Sequence, residues 1–494
     1  MKTAGAMTQR RVAGNINIVG LLLILGVGFC AVFFGMLAAT ANPILIGLGI
    51  GLFAGLFLLA MPKTTIWLVL GLGLSTGALL SMVGHGLDKI SWAISMMAML
   101  LWLPSLMQLF RRPNIPMFVW LALICVIQAI VATALQWYSA GEFIAGFKRY
   151  FQMYGLLFAF ATLAITPLDF QRWLKLLLGI ALLQLPFAVY ERFVLAAQRG
   201  SGGEATDVVA GTMGANLVGG SPNSVMALFL LLAIAFIFMR WRAGLLATWK
   251  LIVLGLLLLA PLTLGETKIV VVMIPLMGMV LLRKDFALNP VRYLPVLMGL
   301  VFMTVVMAYV YVVVVLDSDF YHVIKESLHY NVGTEGYGVL YLNRTSVVSF
   351  WWSLQGLHDP LGFLIGHGLG SSYGVAAGNS GHIAVQYPRY GIGLTTMSTL
   401  LWDVGVLGFA LYLAMFISAW RAANRLWQDT TDALVRADVL VIQAGLAMFM
   451  LFIIYSDNQI NLITMEIIVV TTLGYLAFLV QQQKSITLSP LTSR

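Results

Sequence analysis

The chain has 494 residues, of which 61% are hydrophobic and only 10% charged, a balance that no soluble globular domain of this length shows. It predicts an integral membrane protein, all-α and polytopic. The net charge of +9 would point to nucleic acid in a soluble chain; in a membrane protein its distribution over the loops sets orientation instead, and no nucleic-acid partner is expected.

Apolar runs long enough to cross roughly 30 Å of hydrocarbon lie at 16–39, 44–60, 66–82, 92–109, 117–135, 150–165 and 174–190, then at 224–239, 245–264, 269–282, 294–315, 394–417, 440–455 and 462–480. About fourteen spans place both termini on one side. The triplet Ala39-Thr40-Ala41 after the first run resembles a signal-peptidase site. That run is longer than the roughly 7 to 15 residues of a signal-peptide core, which predicts an uncleaved first span. Both cysteines, Cys30 and Cys125, fall inside apolar runs, so neither a disulfide framework nor a thiolate metal site is indicated. Lys63, Arg111, Arg112, Arg240, Arg242, Arg283, Lys284, Arg421, Arg425 and Arg436 fall on the terminal side, and few cations remain opposite. The positive-inside rule makes the terminal side cytoplasmic. With no repeat of fixed period and no linker, residues 1–494 read as a single transmembrane domain, and residues 317–393 as one large external loop inserted in it.

Cations on the external side are expected to be scarce, so each one there asks for a reason. Arg192 follows Glu191 at the outer end of the seventh span, as an interfacial pair or a ligand for substrate. The turn Gly265-Glu266-Thr267-Lys268 joins two apolar runs, and the second of these, fourteen residues, covers only about 21 Å. A sunken turn is expected, with Lys268 gripping a lipid-linked phosphate and Glu266, desolvated beside a cation, as candidate general base; a plain Glu-Lys turn pair is the alternative. Arg344 opens a helical pattern over 345–357, with Asn343 as its cap, and a guanidinium there favours phosphate or pyrophosphate. Glu335 and Asp359 are further candidate bases, with Asp317, Asp319 and Glu326 less well placed; Asp403 and Glu466 fall within spans and read as structural.

Residues 318–330 form an amphipathic pattern expected along the outer interface. Five of the six histidines, His322, His329, His358, His367 and His382, sit in the loop, but none has His-x-x-x-His spacing or an adjacent carboxylate pattern, so no metal or other cofactor is expected. Gly366-His367-Gly368-Leu369-Gly370-Ser371-Ser372 looks like a phosphate loop but lacks the Lys-Ser/Thr ending and a preceding strand, which argues against nucleotide. Trp351, Trp352, Tyr373 and Tyr387 are aromatics that could stack on sugar faces, core packing being the competing role for the two tryptophans.

Taken in order, Tyr190-Glu191-Arg192, Gly211-Thr212-Met213 with Pro222-Asn223, the 265–268 turn, Arg344 with Trp351 or Trp352, Asp359-Pro360-Leu361-Gly362, Gly366-His367-Gly368 and Trp402-Asp403-Val404-Gly405-Val406-Leu407-Gly408 resemble the O-antigen polymerase and O-antigen ligase superfamily of bacterial surface-polysaccharide enzymes. The likeness covers 190–413. Lys268 stands where an arginine is usual, keeping charge but losing the bidentate fork, and no histidine occupies 395–399, where the ligases carry one. The resemblance implies a glycosyltransferase C-type fold in the bacterial inner membrane with a periplasmic active site. It implies a metal-independent, inverting transfer of an undecaprenyl-diphosphate-linked oligosaccharide to a sugar hydroxyl of a second lipid-linked unit, making exopolysaccharide, capsule or O-antigen. On this reading Glu266, Lys268 and Arg344 are catalytic, Arg192, Lys268, Arg344, Trp351 and His367 bind substrate, and a chain-length regulator is a candidate partner. A ligase acting on lipid A core and a polysaccharide or lipid transporter are the alternatives; internal repeats and midplane charges of the transporter kind are not visible in the sequence.

Overall fold

A computed structural model describes residues 62–83, 90–199, 205–215, 222–310, 340–356, 358–374 and 380–488, with short pieces and single residues besides, including 57–60 and 319–323. Most of the expected spans 16–39 and 44–60 lies outside the described residues, as do the 39–41 triplet, Asp317, Glu326, His329 and Glu335. Residues Met1–Met61 and Pro62–Arg494 are two separate units; within the first, residues 57–60 are helical.

Among the described residues the second unit is all-helical. In chain order its main helices are α1 (Pro62–Val83), α2 (Ile90–Leu100), α3 (Trp102–Leu109), α4 (Met117–Leu135), α5 (Ala140–Phe151), α6 (Tyr154–Thr162) and α7 (Pro167–Tyr190). There follow α8 (Asn223–Arg242), α9 (Thr248–Leu264), α10 (Val270–Leu288), α11 (Pro290–Val310), α12 (Ser346–Leu354), α13 (Pro360–Ile365), α14 (His382–Gln386), α15 (Thr396–Asp429), α16 (Ala433–Tyr455), α17 (Asn458–Asn461) and α18 (Ile463–Leu488). Eight helices among the described residues are long and apolar enough to cross a membrane by length and composition. This is a polytopic membrane protein.

Local chemistry starts these helices where the sequence demands. Thr166 and Asp169 form a reciprocal capping box ahead of α7, with Pro167 in its first turn, so two orphan N–H groups are satisfied and the missing proline N–H costs nothing. Thr395 and Ser398 do the same for α15, and the Ser139 hydroxyl caps α5 by accepting from Glu142 N. Large apolar side chains such as Leu103, Ile127, Leu256 and Phe302 point outward, as expected where the surrounding solvent is lipid.

Inside, lipid offers no hydrophobic drive, so close approach and polar partners hold the helices together. A Cβ at Gly155 would lie 2.0 Å from the Ala98 carbonyl oxygen, so only glycine lets α6 rest on α2 there. Phe158, Phe160, Trp173, Phe416, Phe449 and Phe452 fill the centre. A polar string crosses it: the Ser95 hydroxyl donates to Gln152 Oε1 at 2.6 Å, and Gln152 Nε2 donates to Glu466. The expected span 150–165 is two helices, α5 ending at Phe151 and α6 starting at Tyr154. The chain turns at Gln152 between α5 and α6, and its side chain is the link. Helix α10, expected to end at residue 282, runs on through Arg283-Lys284-Asp285 to Leu288, 19 residues in all, or about 28 Å; its length does not require the preceding turn to sink.

Candidate functional site

Helix α15 is broken at Gly405, where φ is 68° and ψ −172°. A break in a membrane helix frees carbonyls that lipid cannot satisfy. Three donors take them here: His367 N–H reaches Trp402 O at 2.8 Å, Gly368 N–H reaches Asp403 O at 2.9 Å, and Gln128 Nε2 reaches Val404 O at 3.1 Å. The fit is backbone against backbone, since a Cβ at Gly405 would lie 2.4 Å from Leu364 O and one at Gly366 would lie 2.4 Å from Asp403 C. The loop after α13 is thereby locked into the gap. Asp359 caps α13 by accepting from Gly362 N at 3.0 Å, with Pro360 in the first turn, so this motif ends at the break by construction.

Asp403, read from sequence as a structural residue remote from the loop, is the loop's anchor. Its Oδ1 accepts from Ser371 Oγ and Ser372 N, both at 2.8 Å, and its Oδ2 from Gly370 N and Tyr150 Oη, both at 3.0 Å. The phosphate-loop-like glycine stretch is wrapped around a protein carboxylate, and the N–H groups of Gly370 and Ser372 that would cradle phosphate are spent there. Tyr373, the next residue, lies beneath the guanidinium of Arg149, whose Cζ is 2.9 Å from the ring centroid. Arg149 forms no ion pair among the described residues; Asp403 and Asp457 are the carboxylates that act on it.

Arg344 reaches the last residue of α16 from the loop. Its Nε donates to Tyr455 O at 2.6 Å, its Nη1 to Asn331, and its guanidinium lies 4.5 Å from the Tyr455 ring centroid. Asn343 is the cap expected of it, accepting from Thr345 N at 3.0 Å and Ser346 N at 2.8 Å. The first-turn N–H groups of α12 are therefore satisfied internally, and any anion here would be held by the guanidinium alone. Two residues past Tyr455, Asp457 accepts from Asn461 Nδ2 at 2.6 Å. Burial pushes its carboxyl above the ordinary carboxylate range, against the opposing pull of Asn461 and Arg149.

Arg192 and Glu266 meet as an ion pair at 2.9 Å, with side chains 32% and 10% exposed. A π-helical turn, Glu191–Leu195, makes this possible: the wider turn sends Glu191 inward to accept from Ala210 N at 2.8 Å and Gly211 N at 2.6 Å, while Arg192 faces the 265–268 turn. Glu266 sits at φ 49°, a left-handed conformation costly for a residue with a Cβ. Lys268 beside it is exposed. Gly211-Thr212-Met213 is buried, with Thr212 held by Gln184 and by Leu74 O. The first turn of α8 touches both groups: Met226 packs on Gly265, and Asn458 Nδ2 lies 3.4 Å from Ser224 Oγ.

The remaining expected residues separate. Trp351, expected to face substrate, is 3% exposed and stacks on Phe363 at 5.2 Å; packing beneath the loop consumes its ring, and Trp352 is the exposed one. His367 Nε2 is buried without a hydrogen-bond partner among the described residues, 3.8 Å from Asp359 Oδ2. Burial holds its pKa below the ordinary 6.5, Asp359 opposing and His382 adding to the shift. His382 pairs with Glu142 at 2.8 Å and stacks on Tyr138 at 4.4 Å.

Arg149 and Asp457 were not singled out from the sequence. The signal for Asp457 was present in Ser456-Asp457-Asn458-Gln459-Ile460-Asn461, a polar turn between two apolar runs where a tight connection needs no such residues. Arg149 was masked by the apolar run starting at Tyr150. No family model matches the chain, and no curated protein matches it.

Proposed function

We propose that the chain is a polymerase of a bacterial surface polysaccharide, transferring an undecaprenyl-diphosphate-linked glycan to the sugar hydroxyl of another lipid-linked repeat unit. The observation that carries the proposal is the placement of two arginines around the short turn that begins at Tyr455, at the loop end of an apolar bundle: Arg344 Nε donates to Tyr455 O, and Arg149 stands on α5, which packs against α17 in that turn. A diphosphate leaving group gathers negative charge as it departs, and fixed cations at a partly dry boundary stabilise it without reorganising. In this reaction the acceptor oxygen forms a bond to the anomeric carbon as the bond to the diphosphate oxygen breaks, with inversion. The diphosphate leaves with the electron pair, and the hydroxyl proton passes to a carboxylate. Asp457 suits that last role better than Glu266, because Glu266 is committed to Arg192 and a carboxyl of raised pKa is the stronger base. Arg192 and Lys268 extend the cationic side toward the 265–268 turn, where the lipid-linked diphosphate would enter.

The resemblance to the polymerase and ligase superfamily supports the same reading, and the positive-inside distribution supports a loop on the periplasmic face of the inner membrane as part of it. About fourteen spans and a glycosyltransferase C-type architecture belong to this proposal. Arg149→Ala and Arg344→Ala should each cut polymerisation about 10²-fold or more, read as loss of long chains on cells whose membranes keep normal amounts of the protein. Undiminished chain length in both variants would remove the site.

A further inference from the structure

A second cationic cluster lies at the other end of the bundle. Helix α15 begins beside the loop and α16 ends beside Arg344, so the last turns of α15, the first turns of α16 and the end of α10 share the far end. There Trp420, Asn424 and Trp427 follow i, i+4, i+7 spacing on one face of α15. The Arg283 guanidinium lies 4.6 Å from the Trp420 ring centroid, and Lys284 Nζ lies 4.4 Å from that of Trp427. Arg436 covers Trp427 from α16 at 5.1 Å.

The partners of these cations are all neutral. Arg283 Nη2 donates to Gln443 and reaches Asn424 Oδ1 at 3.5 Å, and Lys284 Nζ donates to the same Asn424 oxygen at 3.2 Å. Arg436 Nε donates to Thr430 O at 2.8 Å. Among the described residues none of the three forms an ion pair. Asp285 is engaged with Arg242, Asp438 with Arg240, and Asp432 as the cap accepting from Leu434 N, while Asp429, the last residue of α15, is exposed and pairs with none of the three among the described residues. Arg283 Nε is buried and has no hydrogen-bond partner among the described residues. Three cations sharing two rings and one amide oxygen repel one another, and all three are half-buried, where water screens them less than on an open surface. An anion at this point would relieve that repulsion.

We propose that this cluster binds the phosphate of an anionic phospholipid headgroup at the membrane boundary. The two tryptophans sit where aromatic side chains favour the headgroup level, and a basic pocket between helix ends fits a lipid phosphate. The inference stands on the membrane character of the chain alone and is independent of the reaction at the loop end. The test uses the purified full chain in neutral detergent, with native mass spectrometry counting bound lipid after addition of phosphatidylglycerol, phosphatidylcholine or inorganic phosphate. Phosphatidylglycerol should be retained in preference to phosphatidylcholine, and millimolar inorganic phosphate should not displace it. The Lys284→Gln, Arg436→Gln double variant should lose at least about tenfold in that preference, whereas Lys284→Arg with Arg436→Lys should keep it. A double variant that misfolds is recognised by its melting transition, and Lys284→Gln alone then serves, with a smaller loss expected. Equal retention of the two lipids by the native chain, unchanged preference in the glutamine variants, or full displacement by inorganic phosphate would each overturn the proposal.

Discussion

Replacing Asp403 by asparagine isolates what the loop anchor contributes. Four donors surround the carboxylate, two on each oxygen, and each oxygen faces one hydroxyl and one backbone N–H. Whichever oxygen becomes the amide nitrogen, a hydroxyl of Ser371 or Tyr150 can rotate to accept from it, but the N–H of Ser372 or Gly370 cannot. One hydrogen bond is lost and one buried N–H is left without a partner, a cost of about 1–3 kcal/mol, or roughly 10- to 100-fold in the local opening equilibrium. Asp403→Ala removes all four acceptor contacts and should cost more. Hydrogen exchange on the detergent-purified chain reads this directly. Amides of 368–373 should exchange about 10- to 100-fold faster in Asp403→Asn, while those in the middle of α16 stay as protected as before. Unchanged protection of 368–373, or protection lost evenly across the bundle, would refute the anchoring argument.

Two further outcomes follow from the site. Lys268 is exposed beside the Arg192–Glu266 pair, so Lys268→Ala should shorten the polymer and Lys268→Arg should preserve it, as read on a polysaccharide gel; unaltered length in the alanine variant would take Lys268 out of the site. His367 is held neutral by burial, with its pKa below 6.5, so the unfolded chain binds its proton first as pH falls. Its contribution to stability is whole above pH 6.5 and is lost as pH drops from there through the lower native pKa. The melting temperature of the native chain in detergent should therefore fall between about pH 7 and about pH 5 more steeply than that of His367→Gln, and parallel curves would contradict this.

Much of the bundle could be read from apolar run lengths, because spanning lipid leaves helices as the only choice and their lengths are fixed by its thickness. Caps written within a few residues were also legible, as at Asn343. What sequence could not supply were contacts between distant segments. Nothing near Asp403 in the chain announces Gly370 and Ser372, and a carboxylate inside a span reads the same whether it anchors a loop or packs between helices. Trp351 and Trp352 are indistinguishable by type, and only the fold decides that the first packs under the loop and the second faces out. The Gln152 turn was hidden because it carries no glycine or proline, and the contact that ties it down reaches Glu466, more than three hundred residues on.

The central claim is that this chain extends lipid-linked glycan, and reconstitution tests it most directly. Purified protein in liposomes, given only undecaprenyl-diphosphate repeat units, should yield a ladder of progressively longer lipid-linked chains, with Arg344→Ala yielding none. Repeat units that stay unextended until lipid A core is supplied, and then move to it in one step, would contradict polymerisation and identify a ligase.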